Sequence, residues 1–386
     1  VNPSSCGSNG TTEASGCIQA AIDACPVGQV VKLAAGTFNI NSGNFVLIDK
    51  AITLRGAGPA PAGLQQPCTP ATCVCPAGAT CLRKTNGAQP NTEAQGPNPS
   101  PLIIVGPYQY PNIGDGFAGS TNLTADAVKG TSTISVTSVT GLSAGQIVLL
   151  DEASGASFQT DPQGRGQIWA SPDFRVVWKK HNPADLNIDD FSATEFPTTP
   201  NSAGAWFSRL DRPTAEVKQI ASILGNNVTF TSPVHISYRT SHTAQLSRYD
   251  ALSKYNAPVA NAGVEDLTMV GGDNGNLRFN RAAQSWAKNV ENTIWHDEGF
   301  AIENSFRIEI RDFYVHDAAW ASPGGGGYAI SFAQGSAEAL IENGISVRAN
   351  KVMVARASGA GSVIGYNYMD MGYINGNGAW IEIGLN

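Results

Sequence analysis

The chain has 386 residues, of which 42% are hydrophobic and 14% charged, and its formal net charge is −7. This composition is typical of a folded globular protein and excludes a disordered chain. The acidic balance without any basic run argues against nucleic acid as a partner, and no apolar run is long enough for a membrane span.

The seven cysteines all lie in the first quarter of the chain, at Cys6, Cys17, Cys25, Cys68, Cys73, Cys75 and Cys81. Cysteines clustered in this way predict an N-terminal cap held by disulfides and a secreted, extracellular protein. Cys17 and Cys25 would lie about 12 Å apart along a helix, too far to pair with each other. Zinc binding in "CTPATCVCPAGATC" is the alternative, but the spacing differs from that of a zinc ribbon. The odd count leaves one thiol free or paired outside this chain.

The first elements are a short helix and several strands. Residues 13–24, "EASGCIQAAIDA", have apolar residues at helical spacing, and "GQVVKLAAGTFNI" and "FVLIDKAITLRGAG" predict strands broken by Gly turns. A short helix followed by evenly spaced strands is typical of a capped parallel β-helix, because the helix covers the apolar interior and the unpaired edge of the first coil.

The segment "IQAAIDACPVGQVVKLAAGTFNI", followed by "ITLRGAG", resembles the opening of the pectate-lyase-like right-handed parallel β-helix superfamily. That group includes polygalacturonases, pectate lyases, other polysaccharide hydrolases and phage tailspikes. The resemblance implies an all-β, right-handed parallel β-helix with an N-terminal capping helix, and it says little about the substrate.

The middle of the chain changes character. Residues 58–100 are rich in Pro, Gly, Cys and Gln and predict a long surface loop, whereas 121–250 alternate as antiparallel strands do, with a hairpin around "GNN". Three tryptophans of the irregular part, Trp169, Trp178 and Trp206, are interpreted as core rather than as a sugar-binding wall. The predicted domains are a cap with the first coils at 1–120, an inserted antiparallel β-domain at 121–255, and further β-helix coils at 256–386.

A repeat follows, in "VEDLTM", "VENTIW", "IRDFYV", "IENGIS" and "IGYNYM". Aligned on a small polar turn residue, these segments predict a column on successive coils, spaced 26, 20, 31 and 24 residues apart. Stacked Asn and Asp side chains bond along a rod and satisfy turn amides, so this column is interpreted as structural. Its predicted members are Asp266, Asn292, Asp312, Asn343 and Asn367.

Counted from this column, two His-Asp pairs fall at equal positions on neighbouring coils. His296 and Asp297 are predicted to stack on His316 and Asp317, with backbones about 4.8 Å apart. Carboxylates this close repel unless they share a proton or a cation or splay apart. Such a costly arrangement indicates a functional role.

The strands after each pair, "GFAIEN" and "GYAISF", alternate so that Ile302 and Ile330 point inward and Glu303 and Ser331 outward. Neighbouring coils extend this face into an outer strip, a groove that suits a polysaccharide because coils and sugar units both repeat. The side chains predicted to bind substrate are His296, Glu303, Arg278, Trp320, Trp380 and Glu382.

Catalytic acids of polygalacturonase-like enzymes lie where a turn enters this strand, and the resemblance implies the same for "HDEGFAI". Glycoside hydrolysis needs one carboxylic acid and one carboxylate. The hypothesis makes Glu298 or Asp297 the acid and Asp317 the base, with His316 tuning or positioning them. The alternative is that these are solvated turn residues or a Ca²⁺ site.

The predicted function is a secreted hydrolase of an extracellular polysaccharide, with no required cofactor and no resident metal. A Ca²⁺-dependent polysaccharide lyase is the second hypothesis, with His316, His296, Arg278 or Lys351 as base or cation. A non-catalytic carbohydrate-binding adhesin or structural fibre is the third. The strand-like end "GAWIEIGLN" carries no cap, so a C-terminal continuation or a second chain is expected to complete the rod.

Overall fold

The computed structural model describes residue 6, 9–41, 43–60, 68–92, residue 95, 99–107, 117–153, residue 212, 214–249, 257–320, 326–355, 358–372 and 382–383. The predicted Trp169, Trp178, Trp206 and Trp380 lie outside these residues.

Two long parallel sheets wind around a common core in the described chain. The larger, sheet A, consists of β1 Asn9–Glu13, β2 Val30–Lys32, β3 Gly36–Asn39, β5 Thr53–Arg55, β6 Thr80–Arg83, β15 Gly263–Gly272, β18 Trp286–Trp295, β20 Glu309–His316, β22 Leu340–Glu342, β23 Ile345–Ala349, β25 Val363–Gly365 and β26 Tyr368–Gly372. Sheet B consists of β4 Val46–Ile48, β7 Ile103–Val105, β16 Leu277–Asn280, β19 Glu298–Glu303, β21 Tyr328–Ala333, β24 Val354–Ala355 and β27 Glu382–Ile383. A short parallel pair, β14 Val259–Ala260 with β17 Ala282–Ala283, closes one corner.

Each coil runs along sheet A, turns into sheet B and returns to sheet A one strand further along the rod. Strands β15, β18 and β20 pair in parallel in this order, as do β16, β19 and β21. This is the right-handed parallel β-helix that the sequence predicted. Parallel strands need such crossovers, and crossovers of this kind are right-handed.

A bend in the left-handed backbone region divides each strand line of sheet A. It forms a column down the rod, made of Asp266, Asn289, Asp312, Asn343 and Tyr366, with φ between 51° and 57°. Asn and Asp adopt this conformation more readily than other L-residues. The side chains bond along the rod as predicted: Asn289 Nδ2 donates to Asp266 Oδ1 at 2.7 Å, and Asn343 Nδ2 to Asp312 Oδ1 at 2.5 Å.

Two members of the predicted column were wrong. Asn292 lies three residues past the bend and is fully buried, where its Nδ2 donates to the Gly299 carbonyl at 2.7 Å. Asn367 lies one residue past the bend at Tyr366. The observed bends are 23 residues apart, except between Asp312 and Asn343, where an extra turn segment lengthens the interval to 31.

The core fills the rod with stacked apolar side chains. Leu277, Phe300 and Ile330 form one row and are all fully buried, and Phe279 and Ile302 lie in the parallel row beside it. Ile302 and Ile330 therefore point inward, as predicted. Burial of large side chains at this density is the main stabilising contribution to such a fold.

The helix α1, Ser15–Ala24, covers one end of this core with Ile18 and Ile22, both fully buried. Its Gln19 side chain also forms the hydrogen bonds that a neighbouring strand would form. The amide of Gln19 donates to the Leu47 carbonyl at 3.1 Å and accepts from the Leu47 N–H at 2.9 Å. This satisfies backbone groups of β4, the terminal strand of sheet B, that would otherwise be unpaired.

Three local disulfides staple the N-terminal region: Cys6–Cys17, Cys68–Cys73 and Cys75–Cys81. Cys25 is the free thiol among the described cysteines. The expectation that Cys17 and Cys25 do not pair is confirmed. The zinc alternative does not hold, because every cysteine of the proposed segment is in a disulfide.

The strands between β7 and β14 in the chain form a separate, antiparallel sheet. Its strands are β8 Phe117–Asn122, β9 Thr133–Ser135, β10 Ile147–Glu152, β11 Thr214–Leu224, β12 Asn227–Phe230 and β13 Gln245–Tyr249, and a 3-10 turn spans Thr240–His242. The predicted hairpin joins β11 to β12, with Leu224 opposite Asn227. The sheet packs on the rod through an apolar cluster that includes Val217, Leu149 and Phe306, and the Val217 N–H donates to the Gly335 carbonyl at 2.7 Å.

Candidate functional site

The turn from β18 into β19 carries a group of charged side chains at the edge of sheet B. Asp297 lies on this turn with φ +59°, a left-handed conformation that Asp tolerates, and Glu298 opens β19. Both are partly exposed. The chain thus places two carboxyl groups where the turn enters the strand, which is the position that the sequence predicted.

Arg278 on β16 holds this group together. Its Nη1 lies 3.0 Å from each carboxylate oxygen of Glu303, and its Nη2 lies 2.9 Å from Glu298 Oε2. Nε and Nη2 also donate to the carbonyl and side-chain oxygens of Asn274, at 2.9 and 2.6 Å. We name Arg278, Glu298, Glu303 and Asn274 the Arg278 cluster. Arg278 and Glu303 are buried, so these charges depend on each other for stabilisation.

Asp297 lies beside this cluster in a different environment. Burial raises the pKa of the Asp297 carboxyl above its usual value, against the opposing effects of Arg278 and His296. Gln95 Nε2 donates to Asp297 Oδ2 at 3.2 Å. A raised pKa favours the protonated acid, whereas a carboxylate paired with a guanidinium stays ionised.

His296, predicted to bind substrate, has both ring nitrogens occupied. Nδ1 lies 2.7 Å from Asp273 Oδ1 and Nε2 lies 2.6 Å from the Thr92 carbonyl oxygen. Burial lowers the pKa of His296, but these hydrogen bonds outweigh it and raise the pKa above its usual value. The imidazole therefore acts as a buried donor that fixes the turn beside Asp297.

The predicted stacking of the two His-Asp pairs was wrong. His316 lies opposite Thr293, and the Ile294 N–H donates to the Asp317 carbonyl at 3.0 Å. Asp317 is thus a neighbour of Ile294, three residues before Asp297. The error follows from the misplaced Asn292, because counting from it shifts the register by three residues.

His316 and Asp317 form a separate buried network. His316 Nε2 lies 3.0 Å from Glu291 Oε1, and its Nδ1 lies 2.6 Å from Asp317 Oδ2. Arg348 binds Asp317 in bidentate fashion, through Nε at 2.6 Å and Nη2 at 2.7 Å. Burial lowers the pKa of His316, but its two carboxylate partners raise it overall.

Asp317 is a poor general base in this network. Burial alone would raise its pKa, but the hydrogen bonds from Arg348 and His316 outweigh burial and hold the pKa at about 2. A base with such a low pKa accepts a proton only weakly at neutral pH. The geometry therefore favours a positioning or structural role for the pair His316 and Asp317.

The remaining predicted residues are distributed along sheet B and its turns. Trp320 is partly buried, and in the described chain its indole N–H has no hydrogen-bond partner. The backbone of Glu382 pairs with Val354 in β27. Arg278, Ser331 and Glu382 share one register line across the sheet, as the predicted strip requires, but Arg278 and Ser331 are buried rather than exposed.

Sequence reasoning missed several partners of these side chains. Asp273, which binds His296, lies one 23-residue coil before it, so the correct period identifies it. Glu291 and Arg348 contact His316 or Asp317 across neighbouring coils and are found in the same way. In the residues that the structure describes, no group of three or more His, Cys, Asp or Glu side chains could hold a metal ion.

No protein-family model matches the chain, and no curated protein matches it. Among solved structures, the tailspike gp61 of Pseudomonas phage phi297 is similar with a TM-score of 0.51 and 14% identity, over 93% of this chain and 44% of that one. The tailspike gp49 of Pseudomonas phage LKA1 has a TM-score of 0.48 and 14% identity, over 89% and 41%. A family 28 exopolygalacturonase of Yersinia enterocolitica has a TM-score of 0.30 and 14% identity, over 96% and 53%.

The chain spans less than half the length of the two tailspikes. At this identity, the likeness to the phi297 tailspike supports the parallel β-helix fold and nothing finer. The part of the chain that the structure describes holds no helix long and apolar enough to cross a membrane.

Proposed function

We propose that the protein is a secreted glycoside hydrolase that cleaves an extracellular polysaccharide at the Arg278 cluster. One observation carries the proposal: Asp297 and Glu298 are adjacent, partly exposed carboxyl groups in opposite electrostatic environments. Burial raises the pKa of Asp297, while Arg278 Nη2 binds the Glu298 carboxylate at 2.9 Å. Two carboxyl groups whose environments differ in this way are suited to one acid and one base.

In this reaction Asp297 is the acid and Glu298 the ionised carboxylate. The proton of Asp297 passes to the glycosidic oxygen as the bond from that oxygen to the anomeric carbon breaks. Glu298 either attacks the anomeric carbon or removes a proton from the attacking water. Glu298 is the accessible carboxylate, because its side chain is 19% exposed and that of Glu303 is 4% exposed.

This assignment keeps Asp297, one of the two predicted acids, and replaces the predicted base. Glu298 takes the role first given to Asp317, because Asp317 belongs to the network of His316 and Arg348. Arg278 places a permanent positive charge against both glutamates, since a guanidinium stays charged at any physiological pH. Secretion is supported by the three disulfides, which persist in oxidising compartments.

The test is an activity screen of the purified chain on neutral and acidic polysaccharides, with and without a chelator. New reducing ends and the absorbance of unsaturated sugars are both read. We expect reducing ends without absorbance, lost in Asp297→Asn and in Glu298→Gln. Asp317→Asn tests the original base assignment, and Glu342→Gln on the outer side of sheet A is the matched control.

Each other result points to a different function. Absorbance that disappears with the chelator indicates a Ca²⁺-dependent lyase. Activity that survives both Asp297→Asn and Glu298→Gln refutes the proposed acid and base. Absence of activity on every substrate, together with retained binding, indicates an adhesin or structural fibre.

A further inference from the structure

A small surface cavity of about 210 Å³ lies on the outer face of sheet A, where β18 and β20 run side by side. Its lining consists of Trp286, Lys288, Glu309 and Arg311. These residues are on a different sheet from the Arg278 cluster, and the proposed hydrolase reaction does not use them. We name them the Trp286 pocket.

Trp286 is held in one orientation by two contacts. Its indole lies against Gly263 on the preceding strand, and a Cβ at Gly263 would come within 2.2 Å of the ring. Its Nε1 donates to Glu265 Oε1 at 2.7 Å. The ring is partly exposed. A rigid aromatic surface with one edge tied to a carboxylate is well suited to stack against the apolar face of a sugar ring.

Two cationic side chains lie side by side next to the ring. Lys288 lies directly opposite Arg311 on the neighbouring strand, and like charges in this position destabilise a sheet. Arg311 pairs with Glu309, and its Nη2 lies 3.8 Å from Glu342 Oε1 on the strand beyond. The Lys288 side chain is exposed.

Glu265, the acidic neighbour of Lys288 on the other side, is already engaged. One of its oxygens accepts from Arg55 Nε at 2.6 Å, and the other accepts from Trp286. The Trp286 pocket therefore presents an exposed ammonium group beside an aromatic ring. A carboxylate placed there would relieve the repulsion between Lys288 and Arg311.

We propose that the Trp286 pocket binds an acidic sugar residue, a hexuronate, of a polysaccharide chain. The pyranose ring stacks on Trp286, its carboxylate pairs with Lys288 and Arg311, and Glu309 accepts hydrogen bonds from its hydroxyl groups. The volume fits about one sugar ring and is smaller than the roughly 300–1,000 Å³ of pockets for larger ligands. This binding site is separate from the proposed catalytic residues and does not depend on them.

The test measures binding to a matched pair of ligands, a galacturonate tetrasaccharide and the same tetrasaccharide with its carboxyl groups reduced to alcohols. Titration calorimetry gives the affinity, and the ¹⁵N-indole signals of the tryptophans report the site. Wild-type chain, Trp286→Ala, Trp286→Phe and Lys288→Gln are compared at equal ionic strength. A hyaluronan tetrasaccharide repeats the measurement with glucuronate.

We expect the acidic ligands to bind more tightly than the reduced one and to shift the Trp286 indole signal. Trp286→Ala lowers this affinity at least about tenfold, as expected for a central aromatic contact, and Trp286→Phe retains most of it. Lys288→Gln removes the preference for the acidic ligand, and added salt weakens wild-type binding.

Several results overturn the proposal. These are equal affinity for acidic and reduced ligands, no binding of either uronate, or unchanged binding in the folded Trp286→Ala and Lys288→Gln variants. A change of oligomeric state in those variants, with no change in sugar binding, identifies the pocket as a contact between copies of the chain. Measuring binding in Glu298→Gln as well separates this result from the outcome of the hydrolase test.

Discussion

Replacement of Arg278 by Met tests whether one guanidinium holds the candidate site together. The Arg278 side chain is 6% exposed and contacts Glu298 and Glu303 at 2.9 and 3.0 Å. Met keeps much of its volume but leaves both carboxylates without their cation. Removing one partner of a buried ion pair costs about 3–5 kcal/mol, so we expect a loss of this size at pH 7.

The loss arises because Glu303 and the partly buried Glu298 would then face an uncharged side chain in place of the guanidinium. The double variant Arg278→Met with Glu303→Gln should recover part of the lost stability.

Urea denaturation of the wild type and variants at pH 7 measures these free energies of unfolding. Arg55→Met is the matched control, because its ion pair with Glu265 is at the surface, with the Arg side chain 37% exposed. Surface pairs of this kind contribute about 0–1 kcal/mol. A loss in Arg278→Met no larger than in Arg55→Met refutes the reasoning.

Three further predictions concern Asp297, His316 and Gly263. Asp297→Asn should be at least as stable as the wild type at pH 7, because an amide avoids ionising a carboxyl whose folded-state pKa is raised. Its rate of hydrolysis should nevertheless fall about 10²–10⁴-fold. Lower thermal stability together with full activity contradicts this prediction. His316→Gln should lower the free energy of unfolding by about 3 kcal/mol at a pH below the unfolded His pKa of about 6.5. This loss should shrink as pH rises through the raised folded pKa of His316, and denaturation at pH 5–9 measures it. A loss that is the same at every pH excludes a charged His316. Gly263→Ala should destabilise by about 1–3 kcal/mol, because its new methyl group meets the Trp286 ring, whereas Gly365→Ala, with open space around it, should stay within about 0.5 kcal/mol in the same assay. Equal effects of the two glycine substitutions would show that the ring moves aside.

The fold could be predicted because its signals are local. Alternation in "GFAIEN" placed Ile302 in the core, and apolar residues at helical spacing in 13–24 predicted the helix α1. The segment with the hairpin at "GNN" gave the antiparallel insert in the same way. Each of these patterns depends on a few neighbouring residues and on burial alone.

The register across coils could not be predicted, because it depends on a period counted over distant segments. Asn289 and Asn292 lie within the same strand line, and the residue type alone did not show that the bend falls at Asn289. Burial of Arg278 was also missed, since a lone charged side chain on the outer face of a sheet is expected to be exposed. The carboxylate partners that stabilise the buried Arg278 guanidinium, Glu298 and Glu303, lie on the neighbouring coil.

The 23-residue spacing that recurs between neighbouring coils makes the rod modular. A coil can be duplicated or lost as a whole unit while each bend column and each core row remains continuous, because every residue is replaced by its equivalent one strand away. The interval of 31 residues shows that extra length is accommodated at a turn, outside the strands. A group of side chains that spans neighbouring coils, such as the Arg278 cluster, can therefore vary in its turn residues while the architecture of the rod stays the same.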